Sequence, residues 1–327
     1  MGKILITGGA GFVGRRFVKL FLDKGDDVYC IDNISNYTGG IDPSDGWPLY
    51  NPKDYPNFNF YNVDCRDYFK KNPNEYFDYA FHLAAIVGGR LMIENNPLAV
   101  ADDLSIDAAY WQWAKTAKPK KTICFSSSAA YPINKQTINS YELLEEDMID
   151  FNSSLGQPDM SYGWSKLTHE YLARLAFEKH GLKSVVYRPF SGYGEDQDDS
   201  YPFPSICKRA IKKYGESKIE VWGSGKQKRD FIHINDCVDG VIKTMDKIED
   251  GGALNLSTGI YTDFIQFATM AANQCNYYPK VRGAVDKPTG VFARGGDVKK
   301  QIKYGFEHQI SFQKGIQKAI DYFQDKI

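Results

Sequence analysis

Tyr162 and Lys166 stand four residues apart in the run Ser161-Tyr162-Gly163-Trp164-Ser165-Lys166. On a helix that spacing puts both side chains on one face, one turn apart. Leu167, Tyr171, Leu172, Leu175 and Ala176 continue at helical period and support that reading. A free phenol titrates near ~10, too high for a general base at neutral pH. An ammonium beside it, and any second cation, favours the phenolate and brings it into range. The two residues are a candidate proton acceptor and its tuner. Surface helices carry Tyr and Lys at this spacing by chance, so the pair acquires meaning only beside a cofactor.

The N-terminal stretch has a place for one. Lys3–Thr7 (KILIT) reads as a strand buried on both faces, and it runs into Gly8-Gly9-Ala10-Gly11-Phe12-Val13-Gly14 and then an amphipathic helix to about Lys24. Gly8, Gly11 and Gly14 let the backbone turn tightly and approach a pyrophosphate at a helix N-terminus. The next strand, Asp27–Asp32, ends in an acid about twenty residues further on. A carboxylate there accepts hydrogen bonds from the adenosine ribose and repels a 2′-phosphate, which favours NAD over NADP. Arg15 and Arg16 would welcome that phosphate, so at least one of them is expected to point to solvent.

Further strands are expected at Asn59–Asp64, with Asp64 on the adenine side, at Tyr79–Ala85 and at Lys121–Ser128. His82, inside the second of these, reads as a satisfied core histidine. Ile86-Val87-Gly88-Gly89-Arg90 follows with small residues that allow a cofactor or sugar to come close. Residues 34–58, rich in Gly, Pro, Asp and Tyr, are long for a connection and form either an irregular excursion or a lid. A helix from Pro97 to about Lys118 carries Tyr110, Trp111 and Trp113, which suit either a partner helix in a dimer or the core. Alternating strands and helices predict an α/β fold, a Rossmann-type doubly wound parallel sheet with its ligand beyond the strand C-termini. Gly8, Gly88, Ser127 and Tyr162 then share one edge. Later segments include a strand over Gly181–Phe190, a helix capped by Asn235-Asp236, a strand over Ala253–Ser257 and a closing helix from Ser311. The organisation expected is an NAD-binding domain over 1–188, with returning segments at about 228–260, and a smaller mixed α/β substrate-binding domain over 189–327, interleaved with the first.

Forty basic and 41 acidic residues nearly cancel, so nothing argues for nucleic acid or an acidic membrane surface. No apolar run is long enough to cross a bilayer, and no targeting segment is evident. The six cysteines are scattered singly, without CxxC or a neighbouring His, as expected of reduced, buried thiols in a cytoplasmic protein without a metal.

TGGAGFVG (Thr7–Gly14), Asp32, HLAA (His82–Ala85), SSSAAYP (Ser126–Pro132), YGWSK (Tyr162–Lys166), RPFSGYG (Arg188–Gly194) and VWGSGKQKRDFIHINDCVDGV (Val221–Val241) together resemble an extended short-chain dehydrogenase/reductase of the nucleotide-sugar epimerase/dehydratase kind. The resemblance covers nearly the whole chain. It implies that Ser127 assists Tyr162, and that Lys166 also holds the nicotinamide ribose of NAD, whose ring is the second cation. It implies cofactor contacts from Gly8, Gly11, Phe12, Val13, Asp32, Asn33, Asp64, Leu83, Ala84, Ala85, Tyr162 and Lys166. It implies nucleotide-sugar contacts from Gly88, Gly89, Arg90, Ser128, Arg188, Ser191, Val221, Gly223, Arg229, Arg294 and Asp297, with Arg229 and Arg294 on the diphosphate. Leu83–Gly89, Tyr131-Pro132 and Glu220–Gly223 look most like enzymes of GDP-linked sugars such as GDP-mannose 3,5-epimerase. That enzyme's Cys two residues before Tyr-Pro is here Ala129, and its second acid/base, a Lys, has no counterpart in Asp199–Pro204. The 4,6-dehydratases carry Asp-Glu where this chain has Ser128 and Ala129. Without an acid/base at carbon, the expected chemistry is hydride transfer with one hydroxyl proton. The expectation is NAD-dependent oxidation at C4 of a GDP-linked, manno-type hexose or heptose by a homodimer. A 4-epimerase of GDP- or UDP-sugars is the alternative, and a non-enzymatic NAD-binding scaffold the reading from another class.

Overall fold

The computed structural model describes residues 1–36, 38–88, 90–284, 289–324 and 326. Its organising element is a seven-stranded, all-parallel sheet. The strands are β1 (Lys3–Thr7), β2 (Asp27–Asp32), β3 (Phe58–Asn62), β4 (Tyr79–His82), β5 (Lys121–Phe125), β6 (Ser184–Pro189) and, arriving after an excursion, Asp250–Leu256. Their spatial order is Asp250–Leu256, β6, β5, β4, β1, β2, β3, so the winding reverses between β1 and β4. A crevice opens at such a reversal, beyond the strand C-termini.

β1 and β4 carry apolar residues toward both faces because both are covered, whereas the edge strand β3 (FNFYN) is partly exposed. Ile4, Ile6, Val28, Cys30 and Phe81 pack on one face with Phe17, Val18 and Phe21 of helix α1 (Phe12–Asp23). Leu5, Ile31, Ala80 and Cys124 point the other way, toward α2 (Cys65–Lys71), α3 (Asp103–Ala117) and α4 (Met160–His180). A separate core joins Phe203, Phe231, Phe267 and Phe312 in the second region, where the helices Pro202–Lys212, Phe264–Gln274 and Phe312–Gln324 pack beside short strands.

Several local expectations change. The helix expected from Pro97 to Lys118 is broken into Pro97–Val100 and α3. Tyr110, Trp111 and Trp113 are all buried in the core of their own chain, so they are not anchors for a partner helix. Residues of the 34–58 stretch form an ordered excursion: Trp47 is buried, and Tyr50 donates from its hydroxyl to the Arg15 carbonyl at 2.8 Å. The helix at Ile234–Thr244 is capped by His233, which accepts from Asn235 N at 3.2 Å, rather than by Asn235-Asp236. Asp236 instead receives the amides of Gln309 and Ile310. All six cysteines are free and buried. Among the described residues no helix is long and apolar enough to cross a membrane.

Candidate active site

The glycine turn after β1 is shaped for a ligand at the crevice. Gly8 has φ +67°, and a Cβ there would meet Ala84 N and the Leu83 carbonyl carbon at 2.8 Å. The turn and the loop after β4 are thus in backbone contact. At Gly11 a Cβ would meet only the Gly8 carbonyl oxygen, at 3.2 Å, so the mouth of α1 is open on that side. The helix starts with no side-chain cap and no acid in its first turn. Its leading amides are therefore available to an anion, with the positive end of the helix dipole behind them. At the end of β2, Asp32 accepts from Ala10 N at 3.0 Å and Ile34 N at 2.9 Å, while burial raises its carboxyl. These features fit a dinucleotide.

Arg15 and Arg16 do not behave as expected. Neither points to solvent: both pair with Asp196, Arg15 at 3.0 Å and Arg16 Nη1 at 2.7 Å, and Arg15 also donates to the Ala10 carbonyl at 2.7 Å. Burial opposes the charge on Asp196, but Arg16 and then Arg15 hold its carboxyl below the usual range. Asp64 lies just past β3, where it caps α2 through Arg66 N at 2.9 Å and pairs with the Arg66 guanidinium at 2.7 Å.

Tyr162 and Lys166 lie one turn apart on α4, with Lys166 Nζ 5.7 Å from the Tyr162 ring centre. Ser127, two residues past β5, stands close enough to Tyr162 to lower its phenol. The three expected catalytic side chains are thus together at the sheet edge. Burial raises the Tyr162 phenol above its usual range; Lys166, Ser127 and Arg294 lower it and Asp103 raises it. In this chain the effect of burial on the phenol exceeds that of the Lys166 ammonium. Behind Lys166 lies a buried network. His82 takes Thr7 on Nδ1 at 2.9 Å and Asp107 on Nε2 at 3.0 Å, and His169 meets Asp107 at 3.0 Å. The core reading of His82 matches that arrangement.

The substrate side is built from arginines far apart in sequence. Arg90 pairs with Glu94 at 2.6 Å and with Asp159 at 3.0 Å, and Arg294 reaches Asp159 at 2.9 Å and Gln136 at 2.7 Å. Among the described residues Arg229 donates to carbonyls alone, those of Lys228, Phe292 and Thr289. Burial and then Arg294 lower its guanidinium to about 9. A half-buried cation paired with no carboxylate among the described residues, beside two others that share one, invites an anion. Asp159 and Gln136 escaped sequence reasoning. Asp159 sits at the N-cap of α4, three residues before Tyr162, the only signal that pointed to it.

Other expected contacts are placed differently. Arg188 is buried against Glu170 at 2.5 Å and the Tyr131 hydroxyl at 2.9 Å, an ion pair closed within the protein. Val221 packs its side chain into the second core, so only its main chain is left for a ligand. Asp297 accepts from Lys299 N at 2.8 Å ahead of a short helix and pairs with the Lys299 ammonium, so its carboxylate is engaged within its own segment. Gly223, with φ +65°, makes a tight turn, and a Cβ there would collide with Thr289 and Gln227. Gly88 packs on Met92, Ser128 is buried in the turn after Ser127, and Ser191 follows β6 with φ +36°. Leu83, Ala84 and Ala85 form the loop after β4, and Asn33 follows Asp32. Gly89 lies outside the described residues.

A seven-stranded parallel sheet with this glycine turn at its switch point is a dinucleotide-binding class of fold. The chain belongs to the NAD dependent epimerase/dehydratase family, whose model matches residues 4–257. NAD is therefore its cofactor, and the protein is an enzyme. Similar chains include the UDP-glucuronate 4-epimerase of Thermodesulfobacterium geofontis, 29% identical over 75% of this chain and 72% of that one. The GDP-L-colitose synthase of Yersinia pseudotuberculosis is 23% identical over 75% of this chain and 81% of its own. Among solved structures, the UDP-glucose 4-epimerase of Thermotoga maritima superposes with a TM-score of 0.81 at 22% identity, covering 98% of both chains.

Proposed function

We propose that this protein is a nucleotide-sugar 4-epimerase, the reading held second on sequence alone. The observation that carries it is the convergence of Ser127, Tyr162 and Lys166 at a cofactor crevice, next to a buried Ala129 where a carbon acid/base would stand. Tyr162, held as the phenolate by Lys166, takes the proton of the 4-hydroxyl and becomes the neutral phenol, and Ser127 hydrogen-bonds the sugar oxygen through the change. Bound NAD supplies a hydride acceptor and donor. Arg229 and Arg294 hold the diphosphate, and Asp159 keeps Arg294 aimed. Once the 4-keto group has turned its opposite face to the crevice, the same proton carried back to the same oxygen completes an epimerisation without a second acid. UDP-linked hexoses and hexuronates are the preferred substrates, by likeness to the 4-epimerases above. Exposed Leu104, Trp164 and Tyr171 on α3 and α4 are the surface proposed for a second copy.

The test is a panel of UDP-, GDP-, dTDP- and CDP-sugars followed by NMR and by the absorbance of reduced nicotinamide. A C4 epimer without accumulated NADH is expected. Stoichiometric NADH with a released ketone would make the protein the 4-dehydrogenase expected from sequence. In heavy water the product gains no deuterium at C3 or C5, and uptake there would reveal an acid/base group at carbon.

A further inference from the structure

Asp103 opens α3, is 1% exposed, and uses only one of its two carboxylate oxygens. Oδ1 accepts the Ile86 amide at 2.5 Å, in the loop that follows Leu83–Ala85 and abuts the Gly8 turn. Oδ2 is buried with no hydrogen-bond partner. A carboxylate oxygen buried and unpaired is costly and calls for a nearby cation. The register of α3 against α4 supplies one. Asp107 meets His169 at 3.0 Å across the two helices, both of which follow parallel strands and run the same way. One turn back, four residues on α3 and three on α4, the residues brought level are Asp103 and Lys166.

We propose that Asp103 is a positioning residue for the Tyr162–Lys166 pair: its carboxylate is the counter-charge of Lys166, and it ties that pair to the cofactor loop through Ile86. The proposal rests on Tyr162 being the acid/base, as read above. The groups that face Asp103 are Lys166 and Tyr162 of α4, the Ile86 amide of the loop, and Asp107 and Asp102 of its own helix. Burial pushes its carboxyl up to about 6, with Lys166 and the Ile86 amide opposing that rise. The charge works on the pair in both directions: it favours the Lys166 ammonium and disfavours the Tyr162 phenolate. Asp103 thereby sets how far the phenol titrates and how its state follows pH.

The experiment is a tyrosinate absorbance titration of the NAD-loaded protein, with the Tyr162→Phe trace subtracted to isolate that phenol. Asp103→Asn keeps an acceptor for Ile86 and removes the charge, so the Tyr162 midpoint falls by about one unit. Asp103→Ala gives the same fall and in addition weakens NAD binding, because the Ile86 amide loses its acceptor; it stands in should the Asn variant not fold. The acid limb of the turnover profile moves with the midpoint. An unchanged midpoint in a folded, charge-free variant overturns the proposal, since a merely structural Asp103 would leave the titration alone. Full turnover by Tyr162→Phe would break the underlying reading of the site, an outcome separate from the one that breaks this inference.

Discussion

Arg188 and Arg229 follow similar sequence cues and do opposite jobs. Arg188 is closed in by Glu170 and Tyr131, with a partner for each guanidinium nitrogen, so that although burial opposes its charge, Glu170 keeps the guanidinium firmly protonated. Arg229 has carbonyls for company and two other arginines nearby, and burial lowers it to about 9. The first is a finished ion pair and the second an unfinished one. What separates a structural cation from a binding cation is whether its counter-charge comes with the fold.

The largest effect that tests this contrast is at the acid/base itself. Tyr162→Phe should reduce turnover by roughly 10³-fold or more while leaving Tm and NAD affinity nearly unchanged, because the ring and its packing remain. Next comes the pair of arginines. Arg188→Leu strands Glu170 in the core and should cost about 3–5 kcal/mol of stability, read as a large fall in the denaturation midpoint. Arg229→Met removes a cation whose ionised form opposes folding. It should keep or raise Tm while weakening nucleotide-sugar binding roughly tenfold to a hundredfold. Should Arg229→Met unfold the protein and Arg188→Leu only weaken binding, the two roles would have to be exchanged.

A smaller effect concerns the buried histidine. Burial disfavours a charged His169, but Asp107 outweighs it and raises the imidazole to about 10. A base whose folded value lies above its unfolded ~6.5 adds stability that is full below that pH and is lost as pH rises toward 10. Urea denaturation at a series of pH values should show that decline, and His169→Asn should flatten it and lower stability at pH 6. A wild-type curve without slope between those limits would mean that His169 is neutral.

What was readable in the sequence divides along the same line. The cofactor end depends on main-chain geometry: glycines that must turn, a strand that alternates Ile4 and Ile6 against Leu5, an acid closing β2. Each of these is local and leaves a pattern. The charged partnerships are not local. Arg188 with Glu170, Arg294 with Asp159 and Arg15 with Asp196 join residues 18, 135 and 181 positions apart. No spacing rule connects them, so sequence assigned Arg188 to substrate, Asp297 to a ribose and one of Arg15 and Arg16 to solvent. Burial decided the aromatics likewise: Tyr110, Trp111 and Trp113 occupy the faces of α3 turned toward the protein interior.

Two acids, Asp32 and Asp196, stand near the start of α1. Asp32 is anchored by two amides at the strand end, a site where a carboxylate excludes a 2′-phosphate. Arg15 and Arg16 would undo that exclusion if their charges were free, and Asp196, reaching in from the second region, is what cancels them. Discrimination against NADP is on this account a property of both acids, one repelling the phosphate and the other occupying its natural partners. Asp196→Asn should leave NAD binding nearly intact and tighten NADP by about tenfold, a modest change because Arg15 stays tied to the Ala10 carbonyl. Asp32→Asn should shift the same ratio further, by weakening NAD as well. Dissociation constants for both dinucleotides check this, and a ratio indifferent to Asp196 would assign all of the discrimination to Asp32.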